Sequence, residues 1–173
     1  MIKAQLAKSF IENNEGLNHL LIKISPENID ISYVKVDVHL PYGISRLPNL
    51  TKYDENAQGS ISFRELNEKK EIMFELYTTE EDVPLGHCSI NILLKYRIGM
   101  LEHEENISIT LSIVDENDVA DVVINNEVIT KLKELPNDLK EEPKENYELD
   151  VKSKVIRRNN TFSYLEEKYR VNY

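Results

Sequence analysis

Apolar and polar residues alternate over long stretches of this chain. From His87 to Ile98, the residues Cys88, Ile90, Ile92, Leu94, Tyr96 and Ile98 share one parity, while His87, Ser89, Asn91, Lys95 and Arg97 share the other. A period of two places the first set on one face of a β-strand and the second on the opposite face. The same pattern predicts strands over residues 17–24, 31–40, 71–77 and 106–113, and a short one at Ile61 and Phe63. A weaker first strand is predicted over residues 2–10, where Lys8 interrupts the parity as at an edge or a bulge. Asn13-Asn14-Glu15-Gly16, Pro26, Pro41-Tyr42-Gly43 and Asn67-Glu68-Lys69-Lys70 punctuate these runs. Residues 44–59 read as a long polar connection, and His103-Glu104-Glu105 as a polar turn after Gly99.

About seven strands in the first 114 residues, several with one apolar and one polar face, describe two sheets packed face to face. A parallel sheet would need helical crossovers, and no stretch between the strands has the length or the 3.6-residue period for them. The expected fold is therefore all-β, an immunoglobulin-like antiparallel β-sandwich of about seven strands over residues 1–114, with a short helix and a C-terminal extension. The disulfide and buried tryptophan of antibody domains are missing, so the match is to architecture.

Three segments carry a resemblance within this pattern. LLIKISPENIDISYVKVDVHLPYGI (residues 20–44) is followed by EL-x-x-KKEIMFELYT and then by PLG-x-x-SINILLKY. Their order resembles the bacterial and archaeal immunoglobulin-like sandwich modules of the CARDB-like, NEW3-like and S-layer-associated types, over about residues 17–114. The resemblance implies an adhesive, spacer or protein-docking role and supplies no catalytic residues.

Composition changes after Asp115. Residues 115–150 hold 12 acids and 4 bases. Within them Val128, Ile129, Leu132 and Leu135 recur at helical spacing, with Pro136 as a stop, which predicts a short helix packed on an end or face of the sandwich. The segment 115–146 thus reads as an acidic helix followed by a proline-containing, charged linker. Residues 147–173 form a basic-aromatic tail. Its last 23 residues carry six bases against two acids, and Ser163 with Glu166 fits a helical capping box.

Charge and chemistry narrow the function. Thirty-one acids against 21 bases give a net charge of −10, which opposes general nucleic-acid binding. No apolar run has the roughly 18 residues of a membrane span, and the first residues show no signal-peptide pattern, so a cytoplasmic location is expected. A single cysteine, Cys88, excludes an internal disulfide and reads as a reduced core thiol. The histidines at 19, 39, 87 and 103 are scattered singly, with no metal-ligand spacing. His87 and Cys88, adjacent on a strand, point to opposite faces and cannot act as base and nucleophile. No phosphate-cradling glycine loop or nucleophile elbow is present, so neither catalytic residues nor a cofactor or metal is expected. Three N-x-S/T triplets, at Asn49, Asn106 and Asn159, matter only in a glycosylating host.

The function that best fits is a non-enzymatic protein–protein interaction or assembly module, bound to a protein partner or to itself through sandwich surfaces, edge strands and the tail. In the tail, Arg157 and Arg158 would attract an acidic partner, and Phe162, Tyr164, Leu165 and Tyr169 would anchor it. The alternative is a small-ligand or carbohydrate-binding sandwich that stacks its ligand on Tyr33, Tyr42, Tyr53 and Tyr77.

Overall fold

A computed structural model describes residues 1–27, 29–79, 83–115, 117 and 123–136. The strands are β1 (Ile2–Leu6), β2 (Phe10–Glu12), β3 (Leu17–Ile24), β4 (Ile31–His39), β5 (Ile44–Arg46), β6 (Ile61–Glu65), β7 (Lys70–Thr78), β8 (Gly86–Ile98) and β9 (Leu101–Val114), followed by helix α1 (Asn126–Glu134). One sheet has the order β1-β3-β7-β5 and the other β2-β9-β8-β4-β6. All pairings are antiparallel except β2 with β9, which is parallel. The fold is an immunoglobulin-like β-sandwich.

The alternation in the sequence builds the core. Leu20, Ile22 and Ile24 of β3 and Ile72, Phe74 and Leu76 of β7 face Val34 and Val36 of β4 and Ile90, Ile92 and Leu94 of β8, and all are buried. The outer face of the four-stranded sheet is not solvated throughout. Leu21 and Met73, paired across β3 and β7, are buried beneath Ala7 and Val128 of α1. Asn125 caps the helix, its Oδ1 accepting from the backbone N–H of Glu127 and Val128. No helix among the described residues is long and apolar enough to cross a membrane.

Three elements differ from expectation. The single first strand is two strands, one in each sheet, and the interruption at Lys8 marks the crossing rather than a bulge in one ladder. The polar connection after Gly43 contains β5, a three-residue edge strand too short to show a period. His103-Glu104-Glu105 is not a turn but part of β9. The turn is Gly99-Met100, because Ile98 pairs directly with Leu101. Gly99, at φ 60°, supplies the positive φ that a two-residue hairpin turn needs at its first position. With the reversal that tight, the strand resumes at Leu101, and the His103 ring stacks on Tyr96 at 5.3 Å.

Candidate functional site

The crossing from β1 to β2 decides which edge of the sandwich stays open. Asn18 sits on the inward parity of β3 and is buried, so its amide must find partners inside the protein. Nδ2 donates to the carbonyls of Lys8 and Phe10, each at 2.8 Å, and Oδ1 accepts from the N–H of Lys8 and of His19. The side chain thus clamps residues 8–10 as the chain leaves one sheet for the other. Thr78, also buried and inward, holds the next corner. Its hydroxyl donates to the Glu12 carbonyl at 2.8 Å and accepts from Gly16 N–H at 2.7 Å. A side chain at Gly16 would collide with the Glu12 carbonyl, since a Cβ there would lie 2.2 Å from that oxygen. Pinned at both ends, β2 is three residues long and covers β9 only at Ser112–Val114.

Among the described residues the rest of β9 is hydrogen-bonded to β8 alone, with β1 of the other sheet lying close by. Its main-chain directions follow from the bonds it does make. Ser112 N–H donates to the Ser9 carbonyl and the Val114 carbonyl accepts from Asn13 N–H, so the even-numbered residues of β9 point their main-chain groups away from β8. The β8–β9 register is unbroken from Ile113 to Leu101, which carries this parity along the strand. Asn106, Ser108 and Thr110 therefore present N–H and C=O outward, and among the described residues no strand pairs with them. Burial records the same gap. Leu111 and Ile113, beside β2, are buried, whereas Ile107 and Ile109, on the same inward face, are only half-buried.

The edge of β1 lies across from this one. Ala7 N–H donates to the His19 carbonyl and Ser25 N–H to the Met1 carbonyl, so the odd residues bond β3 and the even ones, Ile2, Ala4 and Leu6, point outward. A groove of about 840 Å³ runs between the two edges, with Ile2, Ala4, Gln5, Ile107, Ser108 and Ile109 among its lining residues. Within that lining, Gln5 Oε1 is buried and has no hydrogen-bond partner among the described residues. Two open strand edges flanking half-buried aliphatic side chains offer main-chain hydrogen bonds and apolar contact to an extended polypeptide.

Of the residues singled out by sequence, Asn106 lies on this segment of β9. Arg157, Arg158, Phe162, Tyr164, Leu165 and Tyr169 lie outside the described residues, as does Asn159. The four tyrosines do not form one stacking surface. Tyr33 is on β4 of the five-stranded sheet, at φ 52° in the irregularity between Ser32 and Lys35, with the Arg97 guanidinium 4.9 Å over its ring. Tyr77 is on β7 of the other sheet, and Tyr53 packs edge-on against Phe63 at 4.9 Å. Tyr42 is exposed beyond the far end of β4.

His87 and Cys88 are separated as expected. The His87 ring lies on Ser112 Oγ at 2.9 Å, while Cys88 Sγ donates to the Leu111 carbonyl at 3.3 Å, and burial pushes its pKa up. His19 is part-buried, and burial lowers its pKa despite Glu75 at 3.5 Å. Among the described residues no group of histidine, cysteine and carboxylate side chains could hold a metal ion. Asn49 is buried and donates to Tyr53 O and Glu55 Oε1, which leaves its amide no freedom to carry a glycan. Sequence reasoning passed over Asn18, although a polar residue on the inward parity of β3 was a readable signal.

No family model matches this sequence, and no curated protein matches it. Solved structures show likeness of fold. The self-complemented major subunit of Myf fimbriae from Yersinia enterocolitica, in complex with galactose, is 9% identical with a TM-score of 0.40, covering 65% of this chain and 99% of that one. A FixG-related protein from Vibrio parahaemolyticus is 11% identical with a TM-score of 0.39, covering 66% and 96%. The CsuC-CsuE chaperone-tip adhesion subunit pre-assembly complex of Acinetobacter baumannii is 14% identical with a TM-score of 0.31, covering 66% and 57%. These are weak likenesses among β-sandwich proteins, and no function is drawn from them.

Proposed function

We propose that this chain is a non-enzymatic protein–protein interaction module that binds by strand addition at the open flank between β1 and β9. One observation carries the reading. Over Asn106–Thr110 no described strand pairs with the outward main-chain groups, at the same place where the inward isoleucines are half-buried. An added strand would satisfy the first and cover the second in a single step. A net charge of −10 favours a polypeptide partner over a phosphate backbone.

Ser108→Pro tests this in the full chain. Proline removes the Ser108 N–H, which faces away from β8, so the β8–β9 ladder keeps its bonds and an edge strand tolerates the residue. The expected outcome is an unchanged circular dichroism spectrum with association to cross-linkable native partners weakened about tenfold through the lost edge bonding. If Ser108→Pro retains the same partners at wild-type yield, the flank is not the binding site.

A further inference from the structure

We propose that Tyr33 is the stacking platform of a carbohydrate-binding site on the outer face of the five-stranded sheet, selective for neutral pyranose sugars. The site is separate from the open flank, since β8 lies between β4 and the β9 edge.

The backbone gives the first reason. Ser32 pairs with Arg97 and Lys35 with Lys95, so Tyr33 and Val34 together stand where β8 offers only Tyr96. Val34 is fully buried, and Tyr33 is left 66% exposed. Its φ of 52° lies in the left-handed region, which a bulky side chain adopts only under strain. Asparagine or glycine would occupy that region at lower cost. An exposed ring kept where it strains the backbone points to a purpose outside the fold.

The ring is also held ready. The Arg97 guanidinium lies 4.9 Å over it, and Arg97 Nε donates to Glu102 Oε1 at 3.0 Å. Side chains from β8 and β9 thus fix one face of the ring, and its exposure leaves the other to solvent. A ring oriented before a ligand arrives loses less freedom on binding.

The surroundings set the chemistry of the ligand. Tyr33 lines a cleft of about 400 Å³, within the range of roughly 300 to 1,000 Å³ common to small-molecule sites. Lys35, Lys95 and Arg97 in its wall are each matched by a carboxylate: Asp37 at 3.1 Å, Glu104 at 3.2 Å and Glu102. Matched ion pairs select neither an anion nor a cation, yet they offer donors and acceptors side by side. A pyranose answers both features, with a C–H face for the ring and hydroxyls that donate and accept around its rim.

Saturation-transfer NMR on the full chain tests the site, with cellobiose, lactose and mannobiose as probes and N-acetylneuraminic acid as the charged control. Transfer to ring C–H protons of at least one neutral disaccharide is expected, and weaker transfer to the charged sugar. Tyr33→Phe keeps the stacking face and should change the dissociation constant by less than about twofold. Tyr33→Asn removes the ring and relieves the backbone, so it should weaken binding about tenfold or more while raising the urea midpoint. That rise separates loss of the site from loss of the fold. Absence of transfer to all the neutral disaccharides overturns the proposal, as does binding that Tyr33→Asn leaves intact. A urea midpoint lowered by Tyr33→Asn overturns it too, because the tyrosine would then serve the fold. Stronger transfer to N-acetylneuraminic acid overturns the selection of neutral ligands. None of these outcomes involves Ser108, so strand addition at β9 stands or falls separately.

Discussion

Two buried polar residues decide more of this architecture than any single aliphatic one. Asn18 satisfies main-chain groups of Lys8 and Phe10 that have left one ladder and not yet joined the next. Replacing it with alanine leaves those groups unsatisfied in a protein interior, which costs about 1 to 3 kcal/mol for such a network. Asn18→Ala should therefore lower the urea unfolding free energy by about 3 kcal/mol, near the top of that range, because several groups lose their partner together. A loss under about 1 kcal/mol would mean that water substitutes for the amide and that the clamp is dispensable. Asn18 was legible in principle, since β3 alternates Asn18, Leu20, Ile22 and Ile24 on one face. Its partners were not, because nothing local to Lys8 or Phe10 announces a contact with a residue eight or ten positions on. Tyr33 shows the opposite limit: no sequence signal foretells a tyrosine at positive φ within a strand.

Among the strands, β3, β4, β7 and β8 were readable from the period of two, as was β9 from Asn106 onward, while its polar first half read as a turn. Strands of three residues were not. β2 and β5 hold too few positions to display alternation, and both are fixed by contacts distant in sequence: β2 by Asn18 and Thr78, β5 by its pairing with β7. The open edge of β9 was illegible for the same reason, since its openness is a consequence of how early β2 ends. The period correctly placed Ile107 and Ile109 on the core face but could not say that they lie beyond the reach of β2. The helix was visible through its spacing, and the structure adds what it covers. Val128 is fully buried against Ala7, Leu21 and Met73. Val128→Ala should destabilise the protein by about 2 kcal/mol, combining lost burial with the cavity left behind. Urea denaturation reads the global effect and amide exchange within α1 the local one. Unchanged exchange and stability would show that α1 does not depend on this contact.

For the whole molecule, an acidic protein whose Asn106–Thr110 segment carries no charge makes a distinctive demand on solution conditions. Two chains of net charge −10 repel each other at long range. Asn106, Ile107, Ser108, Ile109 and Thr110 contribute no charge of either sign. Nearby acids on the same strand are matched within the chain: Glu104 lies 3.2 Å from Lys95, and Glu102 pairs with Arg97. Salt therefore acts on the repulsion of an acidic partner without weakening main-chain bonds to a strand added here. The Debye length falls from about 30 Å at 0.01 M to about 8 Å at 0.15 M, shorter than the distance between most charges on two such domains. Strand addition by a polypeptide of net negative charge should accordingly tighten severalfold over that range, whereas contacts between opposite charges would loosen. Dissociation constants measured by sedimentation at the two ionic strengths separate the cases. Loosening with salt would place the attraction in complementary charges elsewhere on the surface and remove the basis for strand addition at β9.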